Sequence, residues 1–215
     1  MNILKEAKDP ISCKTHFVGA ILSLVALVVM IIMMVMDGAS HLTMIGVVIF
    51  GLSSVALYSA SSIYHYYCPD DKIKLVLRKL DHSMIYVLIA GTYTPISLTY
   101  LDYPHSVCFL VVIWLIAFIG IIIKLFWMNA PRFISTVFYL LMGWALVFDF
   151  PAFCHVPLGC FGLIAAGGIS YTLGAFIYIF KKPNWFKAFG FHELFHVFVM
   201  IGSAFHFIAV IIYVL

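Results

Sequence analysis

The chain has 215 residues, of which 65% are hydrophobic and only 10% are charged, and its mean hydropathy is +1.13. No soluble core needs so much apolar sequence, so the composition excludes a soluble globular domain and indicates a polytopic membrane protein. The formal net charge of +3 matters less than the places where the charges lie. The five cysteines show no Cys-x-x-Cys spacing, which argues against a zinc ribbon or a redox motif.

Seven apolar segments of about 20 residues follow one another along the chain, and this is the length that a hydrocarbon core demands. We predict membrane-spanning helices over residues 17–36, 43–66, 81–101, 107–127, 133–150, 159–180 and 192–214. The first segment is as long as a full span and lacks a small-residue cleavage site, so we interpret it as a retained helix rather than a signal peptide. The fold class predicted for residues 1–215 is therefore a single all-α domain, a seven-transmembrane helix bundle with short loops.

The basic residues all fall on one side of this predicted bundle. They precede the first span, lie between the second and third, flank the turn between the fourth and fifth, and lie between the sixth and seventh: Lys5, Lys8, Lys14, Lys72, Lys74, Arg78, Lys79, Lys124, Arg132, Lys181, Lys182 and Lys187. A missed or invented span would scatter these charges over both sides of the membrane. The positive-inside rule then predicts a cytoplasmic N-terminus and a C-terminus outside.

Two histidines, His192 and His196, stand at the start of the last predicted span. Their spacing of four residues puts them on one face of a helix, one turn apart, where a single metal ion can bind both imidazoles. Ionisable groups in a bilayer are costly and usually functional. The alternative is a pair of interfacial histidines bonded to water or lipid headgroups, and the pair alone leaves both interpretations open.

Three further polar side chains are predicted at the same membrane depth. Ser61 and His65 lie at the end of the second span, and Asp81 opens the third. Because these remote stretches meet on one side of the membrane, a metal site is favoured over scattered interfacial polar residues. Three imidazoles, from His65, His192 and His196, leave a fourth position open for water, as in catalytic rather than structural zinc sites; iron and manganese also accept such ligands.

Ser61 and Asp81 are the candidate catalytic groups beside these ligands. Ser61 precedes His65 by four residues, so its hydroxyl can bond the water or a substrate carbonyl, or can bond back to its own helix. Asp81 can act as the general base, ligate the metal directly, or cap a helix N-terminus at the membrane surface. We expect zinc as the cofactor, with Asp81 and Ser61 in the chemistry.

The other histidines are assigned plainer roles. We expect His16 at the membrane interface. His82 points about 100° away from Asp81 on an ideal helix, so we expect it on the surface, with a role in supporting the metal ligands as the alternative. His206 lies about 15 Å further along the last helix than His196, too far to share its metal, so we expect a polar contact or a second functional group in the cavity. Outer loops hold three histidines without an evident partner: His41, His105 and His155.

Four short motifs occur in order along the chain. They are Ser61-x-x-x-His65; Leu80-Asp81-His82-Ser83 with Ala90-Gly91-Thr92-Tyr93-Thr94-Pro95; Phe191-His192-Glu193-Leu194-Phe195-His196; and Gly202-Ser203-Ala204-Phe205-His206-Phe207. These motifs resemble the progestin and adipoQ receptor superfamily, specifically its bacterial-type hemolysin III branch. The chain lacks the long soluble N-terminal region that receptor relatives carry, so we do not expect hormone binding.

The resemblance implies a zinc ion near the cytoplasmic face, held by His65, His192 and His196, with Asp81 and Ser61 holding its water. It implies membrane lipids as partners, with a lipid substrate in the bundle cavity, and no nucleic acid. It also implies a multi-pass protein of the plasma membrane, which in a bacterial cell is the inner membrane.

Three functions remain open from the sequence. The first is zinc-dependent hydrolysis of a membrane lipid amide or ester, as in the ceramidases of the wider superfamily, with a role in membrane homeostasis. The second is an intramembrane metalloprotease, since His192-Glu193-x-x-His196 is an H-E-x-x-H pattern with Glu193 as the general base; we rank it lower because Asp81 already supplies a base. The third is a non-enzymatic, haemolysin-like or membrane-homeostasis protein with a structural metal.

Overall fold

The computed structural model describes residues 7–67, 70–186 and 189–215. Within these ranges the chain forms eight α-helices and one 3-10 turn, at Phe150–Phe153. The helices are α1 Pro10–Asp37, α2 His41–Tyr66, α3 Asp71–Tyr100, α4 His105–Phe126, α5 Arg132–Gly143, α6 Ala145–Phe148, α7 Leu158–Phe180 and α8 Phe191–Tyr213. Lys5, Cys68 and Lys187, which entered the sequence analysis, lie outside the described residues.

Among the described residues, five helices are long and apolar enough to cross a bilayer: α1, α2, α4, α7 and α8, with 22 to 28 residues each. Their outward faces expose large apolar side chains, among them Val28, Leu115 and Phe118. Such faces are stable against lipid and not against water. The chain is therefore a polytopic, all-α integral membrane protein, as predicted.

The predicted count of seven spans is not exact. The first turns of α3 are charged, and the predicted fifth span is divided into α5, α6 and the 3-10 turn. Tyr93 explains the division: its hydroxyl donates to the carbonyl of Gly143 (2.6 Å) and accepts from the backbone N–H of Leu146 (3.3 Å). A side chain that bonds these backbone groups replaces the regular helical ladder and breaks the helix.

Two helices, α1 and α3, begin seven and ten residues earlier than predicted, whereas the other predicted starts differ from the structure by one or two residues. The side chain of Asp70 accepts hydrogen bonds from the backbone N–H groups of Lys72 and Ile73, at 2.9 Å each, so α3 begins at Asp71 rather than at residue 81. Asp81 therefore lies inside the helix, which removes its interpretation as an N-cap. α1 begins at Pro10 rather than at residue 17, because proline is well suited to the first helical position.

Contacts between helix termini define two ends of the bundle. Asp9, at the start of α1, contacts His65 at the end of α2, and Ser12 of α1 contacts Glu193 at the start of α8. We name this the basic end, because the helix ends and loops that meet there carry the described basic residues: Lys8, Lys14, Lys72, Lys74, Arg78, Lys79, Lys124, Arg132, Lys181 and Lys182. Its cytoplasmic orientation stays a prediction.

The opposite, far end holds a contact that the sequence analysis missed. His105 begins α4, and its Nε2 lies 2.6 Å from Oδ2 of Asp149, which follows α6. The outer-loop histidine therefore has a partner. This contact also shows that the divided segment between residues 132 and 153 runs from the basic end to the far end.

Gly91 brings α2 and α3 into close contact. A Cβ atom at this position would lie 2.3 Å from Oγ of Ser53 and 2.6 Å from its Cβ. Small residues allow such close approach where membrane helices pack. We expect Gly91→Ala to lower the free energy of unfolding by about 1–3 kcal/mol, because the two helices must move apart. A lower thermal unfolding midpoint in detergent micelles would measure this loss.

Gly162 in α7 provides the matched control. A Cβ atom there would meet no atom of the described residues within 4 Å. Since glycine inside a helix costs about 0.5–1 kcal/mol relative to alanine, Gly162→Ala should leave the midpoint unchanged or raise it. Equal destabilisation by both substitutions would contradict the packing explanation.

Candidate metal centre

The three histidines predicted as ligands meet at the basic end of the bundle. His65 lies in the last turn of α2, and His192 and His196 lie in the first two turns of α8. One potential ligand atom from each lies within 4.8 Å of the other two. The ring centroids are 4.6 to 5.0 Å apart, and Nε2 of His65 lies 3.2 Å from Nε2 of His192. Two segments that are remote in sequence thus present three imidazoles to one point.

The separation of one pair of these nitrogen atoms fits a tetrahedral metal ion, and the third nitrogen atom lies within 4.8 Å of both. Imidazole nitrogens bind zinc at about 2.0–2.1 Å, so two of them on one tetrahedral ion are roughly 3.3 Å apart. The Nε2 atoms of His65 and His192 already have nearly this separation. Three imidazole nitrogen donors with one remaining position could hold a transition-metal ion, and His65, His192 and His196 are the residues that would hold it.

Asp9 orients the first of these ligands. Its Oδ2 lies 3.0 Å from Nδ1 of His65, so the Nδ1–H group donates to the carboxylate and Nε2 is left for a metal. Partial burial raises the pKa of Asp9, but the hydrogen bond with His65 and the charge of Lys8 outweigh it and hold that pKa below its usual value. The sequence analysis missed Asp9 because it precedes the first apolar segment and belongs to no motif.

His16 and Thr15 surround the third ligand. The ring of His16 stacks on that of His196, with centroids 3.6 Å apart and an angle of 14° between the planes, and Thr15 Oγ1 lies 3.5 Å from Nδ1 of His196. His16 is only 3% exposed, so its predicted interfacial role is wrong. One signal could have found it: polar or small residues repeat at helical spacing in an otherwise apolar span, at Ser12, His16, Gly19 and Ser23.

The Asp9–His65 contact predicts a measurable loss of metal affinity. Carboxylates that orient ligating histidines typically contribute 10- to 100-fold to affinity, so we expect Asp9→Ala to raise the zinc dissociation constant by about that factor. Asp9→Asn should cost less, because an amide oxygen still accepts the hydrogen bond. Chelator competition on purified protein gives the constants.

Asp37 offers the control for this measurement, since it is an exposed carboxylate at the other end of the same helix. Asp37→Ala should leave the dissociation constant unchanged. A zinc affinity that is the same in Asp9→Ala as in the wild type would show that the contact does not orient His65.

A cavity of about 410 Å³ opens beside the three histidines, within the range of small-molecule sites. Ser61 and Asp81 line it together with His192 and His196, so the structure places both predicted catalytic side chains beside the histidine cluster. Ser61 is 1% exposed. His82 also faces this cavity, which corrects its assignment to the surface, and His206 lines it deeper in the bundle.

The cavity extends far along the bundle axis, and beyond the three candidate ligands its walls are mainly apolar, with Thr92, Thr172 and His206 among them. One face of α3 follows it over about 27 Å, at roughly 1.5 Å per residue, from Arg78 to Ile96. Beyond Asp81 and His82 this face presents Ile85, Leu88 and Ile89. The shape is that of a long slot with polar groups at the basic end and apolar walls beyond.

The carboxylate of Glu193 makes two structural hydrogen bonds. Its Oε1 accepts a hydrogen bond from Ser12 Oγ and its Oε2 accepts one from the backbone N–H of Gly190, each at 2.9 Å. The second bond satisfies a backbone donor at the start of α8, as a capping glutamate does. The glutamate of the H-E-x-x-H pattern thus has a structural role that accounts for both of its oxygen atoms.

Comparisons with known proteins agree with the resemblance in the motifs. The family model "Haemolysin-III related" matches residues 4–207. "Hemolysin-3" of Bacillus cereus is 38% identical over 207 residues, which cover 94% of this chain and 89% of the relative. "Hemolysin-3 homolog" of Bacillus subtilis (strain 168) is 38% identical over 200 residues, which cover 93% and 91%. No solved structure matches the chain. The match of the family model and the extent of both alignments show that the chain belongs to the hemolysin III family.

Proposed function

We propose that this membrane protein binds zinc and hydrolyses an amide or ester bond of a membrane lipid, as a ceramidase does, and that this reaction contributes to membrane homeostasis. One observation carries the proposal: three imidazoles face one another at the polar end of a long apolar cavity that also presents Ser61 and Asp81. A lipid hydrolase needs a reactive centre and an apolar space for the chain, and the cavity offers both.

Each side chain of the site has a separate role in the proposed hydrolysis. Zinc, when bound, supplies a Lewis acid and makes water nucleophilic at neutral pH. His65, His192 and His196 would hold it. Asp81 takes the proton of the attacking water and returns it to the leaving group, and the Ser61 hydroxyl donates a hydrogen bond to the scissile carbonyl. The apolar walls bind the chain of the substrate and exclude water from competing reactions.

Turnover of defined lipids tests this function. Purified protein in lipid nanodiscs is incubated with a panel of ceramides, N-acyl amides, lysophospholipids and monoacylglycerols, and released fatty acid is quantified by mass spectrometry. We expect at least one member to be hydrolysed, the activity to fall to background after chelation, and zinc to restore it. Protein that holds zinc but hydrolyses none of these classes would contradict the proposal.

The names of the two Bacillus relatives favour a second candidate, which is membrane lysis without hydrolysis. Release of haemoglobin from red cells would measure it. Lysis that persists when His65, His192 and His196 are all replaced by alanine, in protein that still shows a cooperative unfolding transition, would support this candidate and count against the hydrolase.

A further inference from the structure

Three basic side chains line the cavity at its basic end and have no part in the hydrolysis proposed above. Arg78 comes from α3, Lys124 from α4 and Arg132 from α5. Three separate elements thus bring positive charge to one end of an otherwise apolar slot. All three side chains line the cavity, although only Lys124 is buried and Arg132 is also exposed to solvent.

Lys124 is the most informative of the three. It lies in the last turn of α4, where a lysine would ordinarily extend its ammonium group to the membrane surface. Instead it is only 3% exposed and donates a hydrogen bond to the hydroxyl of Ser135 in α5. A hydroxyl does not neutralise an ammonium charge, and burying an uncompensated charge inside a membrane protein is costly. An anion beside the ammonium group would stabilise its charged form.

The described residues do not supply that anion. Within them, no carboxylate oxygen lies within 4.0 Å of the charged nitrogens of Arg78, Lys124 or Arg132. Asp81 is the one described carboxylate among the residues that line the cavity. Three cations against one carboxylate leave a formal charge of about +2, which matches the charge of −1.5 to −2 on a phosphate monoester better than the single charge of a carboxylate.

Aromatic rings hold Arg132 at the cavity. Its guanidinium carbon lies 5.1 Å from the centroid of the Tyr178 ring and 5.9 Å from that of Phe191. Cation–π contacts of this kind favour one position of the guanidinium group and leave its N–H donors free for hydrogen bonds. Arginine in a fixed orientation is well suited to bind phosphate oxygens.

The order of groups along α3 suggests how a ligand lies in the cavity. Arg78 comes first, Asp81 follows one turn later beside the histidine cluster, and mainly apolar residues continue from Ile85 to Ile96, with Thr92 and Tyr93 among them. At about 5.4 Å per helical turn, a headgroup beside Arg78 would place the next few bonds of a lipid at the metal centre. The remaining chain would then fill the apolar part.

We propose that Arg78, Lys124 and Arg132 form a phosphate-binding site for the headgroup of a single-chain lipid phosphate monoester, whose chain occupies the apolar part of the cavity. This inference rests on the proposed function, because it names the class of lipid that the hydrolase would take. The site itself binds without the metal.

Equilibrium binding to purified protein in nanodiscs tests the site. The probe is oleoyl lysophosphatidate, and the comparison ligands are monooleoylglycerol, oleate and inorganic phosphate, all measured after chelation of metals. We expect lysophosphatidate to bind at least tenfold more tightly than monooleoylglycerol, and Lys124→Met to remove at least tenfold of that affinity. Lys72→Met, at an exposed lysine near the start of α3, should leave the affinity for lysophosphatidate unchanged.

If Lys124→Met does not fold, Arg132→Gln provides a second variant, because Arg132 is exposed at the mouth of the cavity. Its loss should also weaken the binding of lysophosphatidate severalfold. Wild-type affinity for lysophosphatidate in both variants would overturn the inference. So would equal binding of monooleoylglycerol or oleate, or displacement of the lipid by inorganic phosphate at the same concentration. If the protein bound no zinc but still preferred lysophosphatidate, the phosphate-binding site would be supported and the proposed hydrolase would be contradicted.

Discussion

Replacing His192 by alanine should remove the metal from the purified protein. Wild-type protein should contain about one zinc ion per chain, and His192→Ala close to none, because two imidazoles alone leave half of a tetrahedral site without protein ligands. Elemental analysis by mass spectrometry measures the stoichiometry. The result matters because the facing nitrogens of His65, His192 and His196 are the basis of every chemical step in the hydrolysis.

Loss of metal should also be visible as loss of stability. A ligand that binds only the native state at 100 times its dissociation constant contributes about 2.7 kcal/mol. Chelation should therefore lower the unfolding midpoint of the wild type and leave that of His192→Ala unchanged. The two measurements together separate a missing metal from a misfolded bundle.

His206 provides the matched control on the same helix. It is buried, as His65 and His196 are, whereas His192 is half-buried, so His206→Ala should cost at least as much packing as His192→Ala. Because it lies ten residues beyond His196, the His206→Ala protein should keep its zinc. If His206→Ala lost the metal as fully as His192→Ala, the loss would report damage to α8, and the assignment of the ligands would fail.

The sequence was sufficient to predict the histidine cluster because topology constrains depth. Once the basic residues had fixed which helix ends share a side, His65, His192 and His196 had to lie near one plane. The helical period of α8 then put His192 and His196, four residues apart, on one face. This argument needs only apolar lengths and charge positions, and errors of several residues at the helix boundaries do not disturb it.

The surroundings of the cluster could not be predicted in the same way. Asp9 contacts His65 across 56 positions of sequence, and His16 stacks on His196 because α1 packs against α8. Nothing local in the sequence specifies which helices are neighbours. The early start of α3 was missed for a different reason: apolar content marks the part of a helix in the membrane, whereas capping by Asp70 and the high helix propensity of lysine and arginine extend the helix into water.

The division of the fifth predicted span has a similar cause. Residues 133–150 are apolar enough to read as one helix, but the hydroxyl of Tyr93 bonds backbone groups on both sides of Trp144. The interruption is thus imposed by a side chain of another helix. Since Gly143, Trp144 and Leu146 all line the cavity, the same break shapes the wall of the candidate site.

Asp81→Asn and Glu193→Gln should have opposite consequences for catalysis and stability. In the proposed hydrolase Asp81 transfers the proton, so Asp81→Asn should lower kcat by about 10²- to 10⁴-fold with little change in zinc content. Glu193 caps α8, so Glu193→Gln should leave kcat within a few-fold of the wild type and lower the free energy of unfolding by about 1 kcal/mol. Steady-state kinetics on the lipid identified in the panel and thermal unfolding measure the two effects.

The intramembrane protease requires the reverse pattern. There Glu193 would be the general base, Glu193→Gln would abolish turnover, and Asp81→Asn would be tolerated. The structure favours the hydrolase because both oxygens of Glu193 already accept hydrogen bonds, from Ser12 and from Gly190, while Asp81 faces the cavity. A carboxylate that moved from those bonds to act as a base would leave the backbone N–H of Gly190 without its partner. Inactive Glu193→Gln with its zinc and its stability intact would therefore overturn the assignment of the base to Asp81.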